Sequence, residues 1–240
     1  MMPQAPHSLR ESGLFKNGHL GDDDRAQLDR LGFVYKYYSH DTTVTPEHDD
    51  IFVIVQSGWG CLFSNVPDGD RQILDFPLAG DLFLLSRTAE SGVGETFSSL
   101  TELMVWQGPA RSVIAGIANH PKLMSLLLAA AMRQKSILVQ HLNSLGRRKA
   151  LERVAHLLLE LGERLERAGA ANREGFRCPL TQYELADALG LTAIHVNRML
   201  RELRERELID FRQKTVRFLD RAGLERLAGF EPDYLKIQIS

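Results

Sequence analysis

Cysteine is nearly absent from this 240-residue chain. The two it has, Cys61 and Cys178, give neither a disulfide framework nor a metal-ligand spacing, and they fit a reducing compartment. Long apolar runs are lacking too. The longest, Leu126 to Ala131, is far too short to cross a bilayer, so no membrane partner is expected. The start, Met1-Met2-Pro3-Gln4, lacks the basic segment and apolar core of a secretion signal, and a cytoplasmic location is expected. Enzyme motifs are missing as well. Ser57-Gly58-Trp59-Gly60 is not a nucleophile elbow, no paired carboxylates or phosphate loop occur, and Asp49-Asp50 reads as a solvated turn. His7, His19, His40 and His48 stand at no tight ligand spacing. No catalytic residue, metal site or cofactor is therefore expected.

What is present is core-forming material. Hydrophobic residues make up 44% and charged residues 25%, enough for two small ordered domains. The net charge of −2 hides an asymmetry: residues 1–146 hold 11 Lys/Arg and 16 Asp/Glu, whereas residues 147–217 hold 15 and 11. Positive potential concentrated in one part of a chain suits contact with phosphates.

Along the chain, residues 1–20 show no period, and Pro3, Pro6, Gly13 and Gly18 argue for a loose arm. Asp22 to Leu31 reads as a short helix with its acidic end at the N-terminus. Residues 33–114 are β-rich. Strands are expected at Ile51 to Gln56, Trp59 to Phe63, Arg71 to Phe76, Leu82 to Leu85, Thr96 to Ser99, Glu102 to Trp106 and Ala110 to Ile114, with turns at Val66 to Asp70 and Pro77 to Asp81. That spacing suggests an all-β roll or barrel. Residues 121–145 read as one long helix. Met124, Leu127, Leu128, Ala131, Leu138, Leu142 and Leu145 form an apolar seam such as a dimer interface would show, unless that face packs only on its own β-roll. Residues 147–168 form another helix with a stripe of Leu151, Val154, Leu158, Leu161 and Leu165, and Glu163 and Arg167 make an i,i+4 pair. Ala170 to Cys178 reads as a polar linker.

Pro179 to Ile209 carries the chemistry. Leu180, Leu185, Ala188 and Leu189 give a first short helix its apolar face, Gly190 can stop it in the left-handed conformation, and Thr192 can cap the next. Val196, Met199, Leu200 and Leu203 form that helix's buried stripe, leaving His195, Asn197, Arg198, Arg201, Arg204 and Arg206 on its other faces. Two helices joined by a glycine turn, the second polar and basic outside, make a helix-turn-helix pattern, whose second helix can enter the major groove. The competing reading is a helical hairpin with a solvated arginine face. Two strands then follow, Ile209 to Phe211 and Thr215 to Leu219, around Arg212-Gln213-Lys214: a β-hairpin wing with a basic tip. Arg221 to Leu227 reads as a final helix, with Phe230, Tyr234 and Leu235 packing back.

This stretch, with GRRKALERVAHLLLEL ahead of it, resembles the Crp–Fnr family of transcription regulators (cyclic-AMP receptor protein and fumarate–nitrate reductase regulator), in particular members whose recognition helix contains HVNR. The spacing of Thr181, Glu184, Gly190, Val196 and Arg198 is the specific part, and the resemblance continues more weakly over Tyr35 to Leu145. It implies an α+β fold: an arm at 1–20, a cyclic-nucleotide-binding-like β-roll (jelly roll) sensor at 21–120, a dimerisation helix and hinge at 121–146, with the hinge beginning at Leu145-Gly146, and a winged helix-turn-helix domain at 147–240. It also implies double-stranded DNA, a second copy of the chain and RNA polymerase as partners.

In the family, the arginine matching Arg198 contacts bases, and an arginine can bond guanine O6 and N7 bidentately. His195 and Asn197 are further candidates for base or phosphate contacts. Thr181, Tyr183 and Thr192 suit phosphate contacts, with Arg201 on the basic face and Lys214 at the wing tip. The chain departs from better-known members at Ala193 and Ile194, where an Arg and a Glu commonly read bases; Ile194 could meet a thymine methyl instead. Nucleotide-binding members carry a Gly-Glu pair and an Arg-Ser or Arg-Thr pair. Here LFLLSRTAESGVGETFSSL follows Gly80-Asp81, and Arg87-Thr88 falls too early to match. Tight cyclic-AMP binding is not expected, and the effector is left unidentified. No cysteine precedes Cys61, which excludes the N-terminal iron–sulfur cluster of some members. Cys178 reads either as a redox switch beside Arg177 or as a buried apolar side chain. The expected function is a homodimeric, sequence-specific DNA-binding transcription regulator on a two-fold-symmetric operator. The alternative is a sensor module regulating a protein partner, with the C-terminal domain as a docking module.

Overall fold

The computed structural model describes residues 8–16, 20–46, 50–65, 70–86 and 95–236. Contacts divide it into two compact units: the described residues of Met1–Asn65 and Phe76–Lys135, and those of Val66–Asp75 and Ser136–Lys236.

In the first unit, α1 (Asp22–Arg30) precedes strands β1 (Val34–Tyr38), β2 (Thr43–Val44), β3 (Ile51–Ser57) and β4 (Gly60–Asn65). Then β5 (Arg71–Asp75), which belongs with the second unit, is followed by β6 (Leu82–Leu85), β7 (Thr96–Ser99), β8 (Leu103–Pro109), α2 (Ala110–Ile117) and α3 (Pro121–Arg147). One antiparallel sheet runs β1–β8–β3–β6, and β2, β7 and β4 pair in a second. Strand β3 explains why IFVIV is continuously apolar: both its faces are covered. Val53 and Val55 point between the sheets with Leu62, Phe83, Leu85, Phe97, Leu103 and Val105. Phe52 and Ile54 face outward, under Leu28, Val113, Ile117 and Leu123 of the helices.

Three expectations are corrected here. The stretch Ala110 to Ile114 is helical, not a strand. Proline at 109 has no N–H to extend a ladder, and Ala110, Val113 and Ile117 are buried at helical spacing. The arm is not loose over 8–16: Leu9–Glu11 forms a 3-10 turn capped by Ser8, and Leu9, Leu14 and Phe15 are buried in the core. Helix α3 runs through Leu145-Gly146 to Arg147, so the break before the next helix falls at 148–149. The guanidinium of Arg148 donates to Ser144 Oγ (2.7 Å) across that corner.

The second unit is built on α4 (Ala150–Arg167). The expected stripe is buried apart from Leu151, yet burial runs all the way round from Val154 to Gly162. The helix is enclosed by α5 (Gln182–Leu189), α6 (Ala193–Glu205), α7 (Arg221–Ala228), the Pro232–Leu235 turn and the short strand β9 (Gly175–Arg177). Gly162 permits this, since a Cβ there would sit 2.9 Å from the Phe218 ring. Strand β9 lies in the stretch expected as a polar linker. It pairs with β11 (Thr215–Phe218), which pairs with β10 (Ile209–Arg212), making a three-stranded wing. Among the described residues, no helix is long and apolar enough to cross a membrane.

Candidate nucleic-acid interface

The two-helix unit follows from local chemistry. Thr181 accepts a hydrogen bond from the Glu184 amide, and Glu184 accepts one from the Thr181 amide, closing a capping box at the start of α5. Gly190 ends it at φ 61°, where an L-residue would be strained. The last carbonyls of α5 are satisfied from outside: Gln72 of β5 donates to Asp187 O (2.7 Å), and Arg153 of α4 to Leu189 O (3.1 Å). Arg71 pairs with Asp187 (2.7 Å). Thr192 then caps α6 by accepting from the His195 amide (3.2 Å).

Val196, Met199, Leu200 and Leu203 hold α6 in place and are buried. The opposite face is open. Ile194 is 85% exposed, Tyr183 on α5 is 73% exposed, and Thr181, Thr192, Asn197, Arg198 and Arg201 are exposed, with His195 half-buried. The arginines differ in what they touch. Arg201 is bound to Glu205 (2.7 Å), Arg206 to Glu202, and Arg212 to Asp210 (3.1 Å). Among the described residues, Arg198 has no carboxylate partner, and neither has Lys214. The wing tip turns through Gln213 (φ 48°) and Lys214 (φ 57°), the two left-handed positions of a tight hairpin. Side chains capable of reading bases and of touching phosphates thus share one unit.

Cys178 lies behind the wing, fully buried, its amide donating to Lys214 O (2.9 Å). Burial pushes its thiol up to about 12, which fits the apolar reading and not a reactive thiolate. Of the histidines screened as ligands, His40 is exposed; His7, His19 and His48 lie outside the described residues, as do Arg87 and Thr88.

The expected seam on α3 separates into two groups. Met124, Leu128, Ala131 and Leu142 are exposed, whereas Leu127, Leu138 and Leu145 are half-buried. Met132 and Val139, outside the expected set, are exposed and extend the open stripe.

A second constellation escaped the sequence reading. Asp75 of β5, His141 of α3, Glu160 and Arg164 of α4, and Tyr234 meet in the interior of the second unit. Arg164 binds Asp75 with both terminal nitrogens (2.7 and 3.2 Å) and Glu160 with one (3.2 Å). Tyr234 donates to Glu160 Oε2 (2.7 Å). His141 Nδ1 lies 2.9 Å from Leu74 O and Nε2 lies 2.9 Å from Glu160 Oε1. A carbonyl oxygen only accepts, and a carboxylate receiving Arg and Tyr donors is ionised, so both ring nitrogens carry protons. Burial pulls the His141 pKa down, but the Glu160 carboxylate and then Asp75 outweigh it and raise it to about 9. Burial likewise opposes ionisation of Glu160, yet His141 and then Arg164 bring it to about 2. The ligating atoms of Asp75, His141 and Glu160 lie within 4.8 Å of one another. With both ring nitrogens protonated, the charges of Asp75, Glu160, His141 and Arg164 balance, and the group is a buried ion cluster. The sequence signal was Glu160 and Arg164, charged residues four apart on the helix that carries the apolar stripe of Val154, Leu158, Leu161 and Leu165.

Residues 152–227 match the family model of the Crp-like helix-turn-helix domain. The chain is 29% identical over 220 residues to the transcriptional activatory protein AadR of Rhodopseudomonas palustris, covering 90% of each chain. It is 31% identical to the nitrogen fixation regulation protein FixK of Rhizobium meliloti, covering 73% of this chain and 77% of that one. Among solved structures, FixK2 from Bradyrhizobium japonicum superposes with a TM-score of 0.70 at 26% identity, over 82% of this chain and 98% of that one.

Proposed function

Because the chain belongs to the Crp–Fnr family of transcription regulators, we propose that it acts as a homodimer whose two recognition helices read a two-fold-symmetric operator. It is a DNA-binding regulator of that type. The finer reading rests on one observation above all: on the capped helix α6, Arg198 is exposed and, among the described residues, no carboxylate holds it. An arginine left unpaired there can give its planar fork to guanine O6 and N7.

Dimerisation is assigned to the exposed stripe of α3. Met124, Leu128, Met132, Val139 and Leu142, the last 69% exposed, recur at three- to seven-residue intervals along one helix. A second copy of the helix would bury them against their equivalents. Thr181, Tyr183, Thr192, Arg201 and Lys214 are assigned to phosphates, and His195 and Asn197 to bases or phosphates. Half-sites then lie about one helical turn apart. The protein works in the cytoplasm and meets RNA polymerase there. Tight binding of cyclic AMP is not expected, because the sequence after Gly80-Asp81 carries no Gly-Glu and Arg-Ser or Arg-Thr pair in the family's register. Micromolar cyclic-AMP binding by calorimetry would overturn that last point.

Selection of duplexes from a random pool by the purified protein, with no ligand added, tests the whole reading. The expected result is a palindromic site whose affinity falls steeply with salt through counterion release. Recovery of no preferred sequence, or salt-insensitive binding, would favour the protein-docking alternative.

A further inference from the structure

Helix α6 opens on two side chains that cannot hydrogen-bond to a base, Ala193 and Ile194. Between the Thr192 cap and Arg198 the side chains are Ala193, Ile194, His195, Val196 and Asn197. Val196 is buried, and no carboxylate occurs on the helix before Glu202, which is tied to Arg206. Among the described residues, Ile194 is the most exposed of the large apolar side chains. It stands four residues ahead of Arg198 and so on the same face. We infer that Ile194 is a specificity-determining residue that reads a thymine through its C5-methyl group. The inference rests on the placement of α6 in the major groove proposed above.

The chemistry is selective. Thymine alone presents a methyl group at the major-groove edge, whereas cytosine presents an N4 amine there. An isoleucine pressed against that amine would take water from a donor and return no acceptor, which is costly. Pressed against a methyl, it removes apolar surface from water on both sides. The position can also be placed. Four helical residues span about 6 Å along the axis, and stacked bases repeat every ~3.4 Å, so the thymine falls within about two base pairs of the guanine read by Arg198.

The test uses the selected palindromic duplex with each thymine replaced singly by uracil, which removes the methyl and nothing else. At one symmetry-related position per half-site, wild-type protein should lose roughly fourfold in affinity, the worth of one buried methyl. Ile194→Ala, at a solvent-facing helical position where alanine favours the helix, should bind thymine and uracil duplexes equally. Ile194→Glu should move the preference at that position to cytosine, whose N4 amine a carboxylate accepts. Uracil tolerated at every position, no thymine near the guanine, or discrimination that survives in Ile194→Ala each overturns the inference. If a site is selected and requires Arg198 but uracil is tolerated, this inference falls alone. If no site is selected, the functional reading falls and takes this one with it.

Discussion

Arg164 and Arg198 belong to the same unit and lie on neighbouring helices, yet their surroundings are opposite. Arg164 is buried and binds two carboxylates inside a cluster whose charges balance. Arg198 is exposed and has no carboxylate among the described residues. The first arginine has lost its water and is held by two carboxylates of its own chain through both terminal nitrogens. Its neighbours therefore depend on it, and nothing outside the protein can use it. The second keeps its donors free, contributes little to the fold, and is left to be satisfied by something external. A buried charge paired internally serves the scaffold, whereas the exposed Arg198, on the function proposed above, is available for recognition. Fold and function in this unit should therefore respond to different substitutions.

The largest effect is expected at the buried end of the contrast. Arg164→Ala leaves the buried Asp75 without its main cation and the buried Glu160 with His141 as its remaining cation, and removing one partner from such a pair costs about 3–5 kcal/mol. Chemical denaturation should show that loss as a lower midpoint. An unchanged midpoint would mean the cluster is not holding the unit together. Arg221 gives a milder comparison, since it joins Glu163 (2.8 Å) and Glu166 (3.2 Å) nearer the surface.

The cluster also predicts a pH profile. The His141 pKa is raised to about 9 in the fold, so its stabilisation is complete below the unfolded value near 6.5 and is lost as pH rises through 9. His156 behaves oppositely. Burial lowers its pKa to about 4, so the fold gains from its neutral form above 6.5 and loses that gain as pH falls towards 4. It packs edge-on against Phe230 at 5.1 Å and stacks on Tyr234 at 6.2 Å. Stability from these two groups should peak near pH 6.5. His141→Gln should flatten the alkaline limb and His156→Phe the acid limb between 4 and 6.5. Limbs that keep their slopes in the variants would assign the titration elsewhere.

The same contrast explains what could be read from the sequence. The recognition unit was legible because its signals are local: Thr181 with Glu184, Gly190, Thr192, and the buried spacing of Val196 to Leu203 lie within some two dozen residues. The ion cluster was not, because Asp75, His141, Glu160 and Tyr234 are brought together only by the fold. Strand β9 was missed for a related reason. Three residues among polar neighbours carry no strand signal of their own, and Gly175–Arg177 is a strand because Thr215–Arg217 pairs with it. At Ala110 to Ile114 the β-forming Val113 and Ile114 suggested a strand, and burial of Val113 and Ile117 on one helical face decided otherwise.

The smallest effects on the fold, and the sharpest test of the contrast, come from the exposed end. Arg198→Ala should leave the denaturation midpoint unchanged while costing about 1–3 kcal/mol at the selected site and relaxing the base preference there. Lys214→Ala should do less and do it differently. If it contacts phosphate from the tip of the wing, as proposed, its loss should weaken all duplexes alike and reduce the salt slope by about one. The pair separates reading from holding: one variant changes which sequence is preferred, the other only how tightly any sequence is bound. If Arg198→Ala lowered the melting temperature as Arg164→Ala does, or if both exposed variants kept full operator affinity, the division between a scaffold arginine and a reading arginine would be wrong, and α6 would have to be removed from the groove.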